Sequence, residues 1–172
     1  MARKMTEAEQ GMPRSITVGV RLDPKVRYLA ELAARKQRRS LSSFIEWVVQ
    51  ESFGRILLRE GSLANNDHGT SIADAAAWLW DVDDADRFAR LALRYPDLLT
   101  HEEQVTWKLI RENGYLWKGF PHKVTGEWTW RTDEKELIFE RLRAHWDKFK
   151  AVATGQANKS ILPTWAKRKP RG

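Results

Sequence analysis

The chain has 172 residues, 42% of them hydrophobic, with nine tryptophans, no cysteine and a net charge of +7. One or two domains fit that length; disulfides and thiolate metal sites are excluded, and no apolar run approaches the ~20 residues a membrane span needs. The charge is uneven: residues 1–59 hold 12 Lys+Arg against 6 Asp+Glu, residues 60–166 hold 14 against 17, and the last six residues add Lys167, Arg168, Lys169 and Arg171. A basic start, a mildly acidic body and a basic tail suggest a polyanion engaged from one end, although basic character also serves solubility.

Residues 1–14 are polar, carry Gly11 and Pro13, and are expected to form a flexible basic arm. Residues 15–22 alternate. Ile16, Val18, Val20 and Leu22 share one face of a strand, and Ser15, Thr17, Gly19 and Arg21 share the other. The first face is wholly apolar and must be buried. The second is small and polar, and it ends in a residue with five hydrogen-bond donors.

Asp23-Pro24 is a helix-start signal, because Asp caps free N–H groups and Pro fits the first helical position. A helix follows to about Lys36, with Val26, Leu29, Ala30, Leu32 and Ala33 at helical spacing. Gln37-Arg38-Arg39 breaks the pattern. Ser40 is the next cap, and a second helix is expected from Leu41 to about Leu58. Its apolar stripe is Leu41, Ile45, Val48, Val49, Ser52, Phe53 and Ile56; Phe44 and Trp47 lie on a second stripe.

Residues 60–70 read as a linker, and 71–153 as a helical domain with a small β-hairpin. Ser71 opens a helix to Trp80. Asp83 or Asp84 opens another, with Phe88, Leu91, Ala92 and Tyr95 on one face, and Pro96 ends it. Thr100 and Glu103 have capping-box spacing ahead of Val105, Trp107, Leu109 and Ile110, and Gly114 stops that helix. Tyr115, Trp117, Trp128 and Trp130 show period-two spacing around a turn with Pro121 and Gly126. Asp133 is expected to start a long helix to about Ala153 with Leu137, Ile138, Leu142, Trp146 and Phe149 inside. Residues 154–172 read as a loop-like basic tail.

A solitary strand leaves backbone donors and acceptors unpaired on both edges, and one strand with two helices encloses too little core at this size. Pairing with the same strand of a second chain answers both needs. The apolar strand faces then pack on the helices, and the polar faces project outward about a two-fold axis. A two-stranded ribbon fits the major groove of B-DNA.

The stretches Val18-Gly19-Val20-Arg21-Leu22-Asp23-Pro24 and Arg39-Ser40-Leu41-Ser42-Ser43-Phe44-Ile45, with Gln50-Glu51-Ser52-Phe53 closing the second helix, resemble the ribbon-helix-helix family of repressors. The resemblance covers Ile16 to Phe53. It implies a mainly α fold whose residues 15–59 form a dimeric DNA-binding domain, with Ile16, Val18, Val20, Leu22, Leu29, Ile45, Val49 and Phe53 in the dimer core. It implies base contacts from Thr17, Gly19 and Arg21. Arg21 suits the O6 and N7 acceptors of guanine, and Thr17 suits an acceptor or a thymine methyl. Gly19 departs from the pattern, since a residue without a side chain reads no base; a solvated arginine is the plain alternative for Arg21. The resemblance also implies a phosphate at the start of the second helix, contacted by Ser40, Leu41, Ser42, Arg38 and Arg39. Free N–H groups and the helix dipole favour an anion there, although Ser40 would serve as an ordinary cap in any helix.

The sequence therefore leads to the expectation of a homodimeric transcriptional repressor on double-stranded DNA, possible also as a pair of dimers on adjacent sites. It would be cytoplasmic and nucleoid-associated, with no membrane partner, metal or cofactor. Rival readings are an antitoxin, whose residues 60–172 would neutralise a toxin, and a plasmid, conjugation or partition accessory protein. Residues 71–153 are open to a protein partner or an effector. No enzyme is expected: His68, His101, His122 and His145 are scattered without ligand spacing, and Asp81, Asp83, Asp84 and Asp86 suit helix starts better than a calcium loop. The tryptophans of the second domain, Trp78, Trp80, Trp107, Trp117, Trp128, Trp130 and Trp146, are expected chiefly as core.

Overall fold

The computed structural model describes residues 16–62, 64 and 67–164, and among these the chain forms six α-helices and two small antiparallel sheets. The expected arm at 1–14, Ser15 of the expected strand and the basic end of the tail lie outside the described residues. The chain divides into two compact units, residues 1–75 and 76–172. No helix among the described residues is long and apolar enough to cross a membrane.

In the first unit, α1 (Pro24–Lys36) begins as expected. The Asp23 carboxylate accepts the Lys25 N–H at 2.9 Å, and Pro24 opens the helix. Its end is a Schellman turn: Arg39 N–H donates to Ala34 C=O at 2.9 Å and Arg38 N–H to Arg35 C=O at 3.0 Å. Arg38 holds the left-handed position of that turn at φ 56°, where glycine is the cheaper residue. α2 (Leu41–Phe53) is capped by Ser40, whose Oγ accepts the Ser43 N–H at 3.1 Å. The two helices pack as a helical hairpin, and Ala34 of α1 is buried.

Two expectations change here. α2 stops at Phe53 rather than near Leu58. The Ser52 hydroxyl donates back to Val49 C=O at 2.6 Å and Gly54 caps the helix, while Leu57–Arg59 pairs with Thr70–Ser71 as strands β1 and β2. Residues 60–69 accordingly connect the two strands of a hairpin, and Thr70 belongs to its second strand. Ser62 and Asp67 exchange backbone hydrogen bonds across it at 2.8 and 3.0 Å. Gly69, at φ 81°, sits so close to the strand that a Cβ would lie 2.5 Å from the Arg59 oxygen. Turn and linker compositions are alike, so only the backbone pairing separates them.

The Ile16–Leu22 segment takes part in no helix or strand ladder within the single chain. A ladder needs a second strand, and none of the described residues supplies one.

The helix α3 (Ile72–Leu79) starts on a reciprocal cap. Ser71 N–H and Oγ both donate to Asp74 Oδ2, at 2.9 and 2.7 Å, and Asp74 N–H donates to Ser71 Oγ at 3.2 Å. In the second unit, α4 (Asp84–Arg94) is capped by Asp83, and Pro96 opens a short 3-10 turn beyond it. α5 (His101–Glu112) carries the full capping box of Thr100 and Glu103. Two indoles cap its far end: Trp117 Nε1 donates to Ile110 C=O and Trp130 Nε1 to Arg111 C=O, each at 2.9 Å. Gly114 allows that approach, since a Cβ there would lie 2.8 Å from the Trp130 ring.

The hairpin of β3 (Gly119–Pro121) and β4 (Trp128–Trp130) pairs Phe120 with Thr129. The last helix, α6 (Phe139–Ala153), starts six residues later than Asp133 suggests. Leu137 instead bridges to Trp117, and Ile138 N–H donates to Leu116 C=O at 2.8 Å, so this stretch is committed to a sheet-like pairing first. Phe88, Trp107, Ile110, Leu116, Trp117, Leu142 and Phe149 close the core.

Candidate nucleic-acid interface

The polar positions of the Ile16–Leu22 segment, together with the basic corner between α1 and α2, make up the candidate site. Thr17, Gly19 and Arg21 are all exposed. A Cβ built on Gly19 meets nothing within 4 Å, so no contact inside the single chain demands a glycine there. The apolar positions between them are exposed as well: Ile16 by 72%, Val18 by 76% and Val20 by 59%. Leu22 is half-buried.

The corner between α1 and α2 brings Arg38, Arg39, Ser40, Leu41 and Ser42 together along one stretch of backbone. Arg38, Arg39, Ser40 and Ser42 are exposed and Leu41 is half-buried. The first turn of α2 carries no acidic side chain, so the positive end of the helix faces no carboxylate of its own. Arg39 lies over the Trp47 ring at 5.2 Å from its centroid. By helical spacing alone, Trp47 belongs only to a second stripe of α2. The signal that would have found it is the two-turn spacing from Arg39 to Trp47, which is legible only once the helix start at Leu41 is certain.

Several cations elsewhere are paired with carboxylates. Arg59 forms a forked pair with Asp67 at 2.5 and 3.1 Å. This pair and the Gly69 N–H hold the Asp67 carboxyl well below the usual range, at about 2. In the second unit Asp86 is buried and takes two bonds from Arg143, at 2.8 and 3.2 Å, which ties α4 to α6. Asp81 pairs with Arg90 and accepts the Asp83 N–H, which lowers its pKa. The aspartates at 81–86 thus serve caps and ion pairs, and no metal-binding group of three His, Asp or Glu residues occurs among the described residues.

The tryptophans divide. Trp107 and Trp117 are buried, Trp78, Trp128, Trp130 and Trp146 are half-buried, and Trp80 is 59% exposed. His145 stands edge-on to Tyr115, with its Nδ1 buried and unpartnered. Burial, and then the Lys148 charge, push its pKa below the ordinary value. A groove of about 320 Å³ opens in this unit beside Leu109, Tyr115 and Leu162.

No family model, no curated protein and no solved structure matches the chain.

Proposed function

We propose that the chain is a homodimeric, sequence-specific DNA-binding transcriptional regulator, a repressor, that reads the major groove with a two-stranded antiparallel ribbon. One observation carries this reading. Most of the residues expected in a dimer core are exposed in the single chain: Ile16, Val18, Val20, Leu29, Val49 and Phe53, with Leu22 and Ile45 half-buried. Each such side chain, once fully buried, contributes roughly 1.5–3 kcal/mol before entropy is subtracted. Two well-capped helices with bare apolar faces, preceded by an unpaired alternating segment, are what half of an interlocked dimer presents.

In that dimer Thr17 and Arg21 project toward base edges from each strand. Gly19 then lets ribbon and groove approach closely and leaves the middle position silent, so Arg21 carries most of the discrimination. Arg38, Arg39, Ser40, Leu41 and Ser42 engage a backbone phosphate and set the register. The second unit, with its closed core, supports a folded module for an effector or protein partner, and it weighs against an antitoxin tail that folds only on its toxin.

The test is sedimentation equilibrium on the full chain, followed by selection of bound duplexes from a random library. A dimer at micromolar concentration that enriches a palindromic site is the expected result. A monomer, or no duplex bound at about 50 mM salt, overturns the reading.

A further inference from the structure

Several arginines among the described residues are held by a carboxylate, by an aromatic ring or by both. Arg27, Arg59, Arg90 and Arg143 each face a carboxylate, from Glu31, Asp67, Asp81 and Asp86. Arg87 and Arg94 lie over Trp80 and Trp78, at 4.9 and 4.2 Å, but each also has a carboxylate, Asp84 and Glu134. Arg39 has the ring without the acid. It lies over Trp47, and it forms no ion pair among the described residues. A carboxylate partner neutralises the guanidinium and occupies its donors. A ring face does neither, because the flat face is used and the N–H edge stays free.

Both ends of this contact are braced. Trp47 is half-buried and packs against Phe44, with centroids 5.9 Å apart and planes tilted by 40°. The Arg39 backbone is fixed by its bond to Ala34 C=O on one side and by the Ser40 cap on the other. The side chain therefore waits, charged, in a narrowed set of rotamers, and less entropy is lost when it meets an anion.

We propose that Trp47 is a positioning residue for DNA binding: it holds the Arg39 guanidinium, donor edge outward, for a phosphate of the duplex backbone. This rests on the DNA-binding reading above.

The test is anisotropy of a random-sequence duplex titrated with the full chain across a salt series, since phosphate contacts need no particular operator. Arg39→Gln should lower the dependence of log affinity on log salt by about one per protomer. Trp47→Leu, or Trp47→Met where the leucine variant does not fold, should weaken binding about three- to fivefold. The same change in an Arg39→Gln background should cost nothing further. Trp47→Tyr, which keeps a ring face, should restore most of the loss. Additive penalties, wild-type binding by the leucine variant, or no rescue by tyrosine would overturn the positioning role alone. A wild-type chain that binds no duplex would remove the DNA reading and this role together.

Discussion

The two units follow the same sequence rules to different ends. α1 and α5 are both amphipathic, both capped by an oxygen-bearing residue and of nearly equal length, 13 and 12 residues. Yet α5 buries Trp107, Leu109 and Ile110, whereas α1 buries only Ala34. In the second unit the apolar faces of α4, α5 and α6 meet in one core with Trp117 and Phe149, neither of which is exposed at all. Among the described residues of the first unit, much of the apolar surface of α1, α2 and the leading segment is exposed. An amphipathic helix states that something must cover it, and it does not state whether that cover lies in the same chain.

The sharpest way to break this contrast is Val18→Asp. In the proposed dimer it places two carboxylates in the apolar interior beneath the ribbon, at a cost of several kcal/mol each unless they are protonated. Sedimentation should report loss of the dimer, while the second unit keeps its own thermal transition. A variant that dimerises like the wild type would mean that the first unit is completed in some other manner.

Trp117→Ala probes the opposite side. It removes a fully buried indole and its bond to Ile110 C=O, and should destabilise the second unit by ~3–5 kcal/mol in denaturant unfolding. The dimerisation constant should not move; a coupled loss would show that the two units are not energetically separate.

Arg21→Ala should leave both transitions in place and cost about 1–3 kcal/mol of discrimination between the selected duplex and a mismatched one. Equal preference in competition binding would remove the ribbon as the reading element.

The smallest effect is a pH dependence. The folded state holds the His145 pKa below 6.5 by burial, so the unfolded chain takes up a proton first as pH falls. The neutral imidazole's contribution is complete above pH 6.5, declines as pH drops through it, and is lost below the depressed folded value. His145→Gln should flatten the stability of the second unit over that window. An unchanged slope would locate the dependence in another group.

Much of the fold is legible in the chain because local chemistry is strong at particular points. Asp23-Pro24, Ser40, Asp83 and Thr100 all cap the helices whose starts they mark, since each offers an oxygen to N–H groups that have no other partner. Of the hairpin, only the arm of Trp128 and Trp130 is legible from period-two spacing; the other arm is Gly119–Pro121, with Pro121 in the strand and not the turn, while Tyr115 lies in a 3-10 turn and Trp117 bridges to Leu137. What is not legible is non-local. Leu57–Arg59 reads as the end of a helix until Thr70–Ser71 returns to pair with it. Glu134–Leu137 reads as a helix start until Trp117 claims Leu137. For the site, the corner of Arg38, Arg39 and Ser40 is visible as a basic cap, but the ring beneath Arg39 comes from two turns away.

The amino-acid order by itself determines where most of the helices begin, which faces are apolar and which stretches of the chain are basic, because capping, periodicity and charge act within a few residues. Only the tertiary structure decides that the second unit closes on its own core, that Leu57–Arg59 and Thr70–Ser71 pair as a hairpin, and that apolar faces of the first unit stay exposed among the described residues. Those outcomes depend on which distant surface reaches each face, and loop closure and packing are properties of the whole fold, not of any single segment.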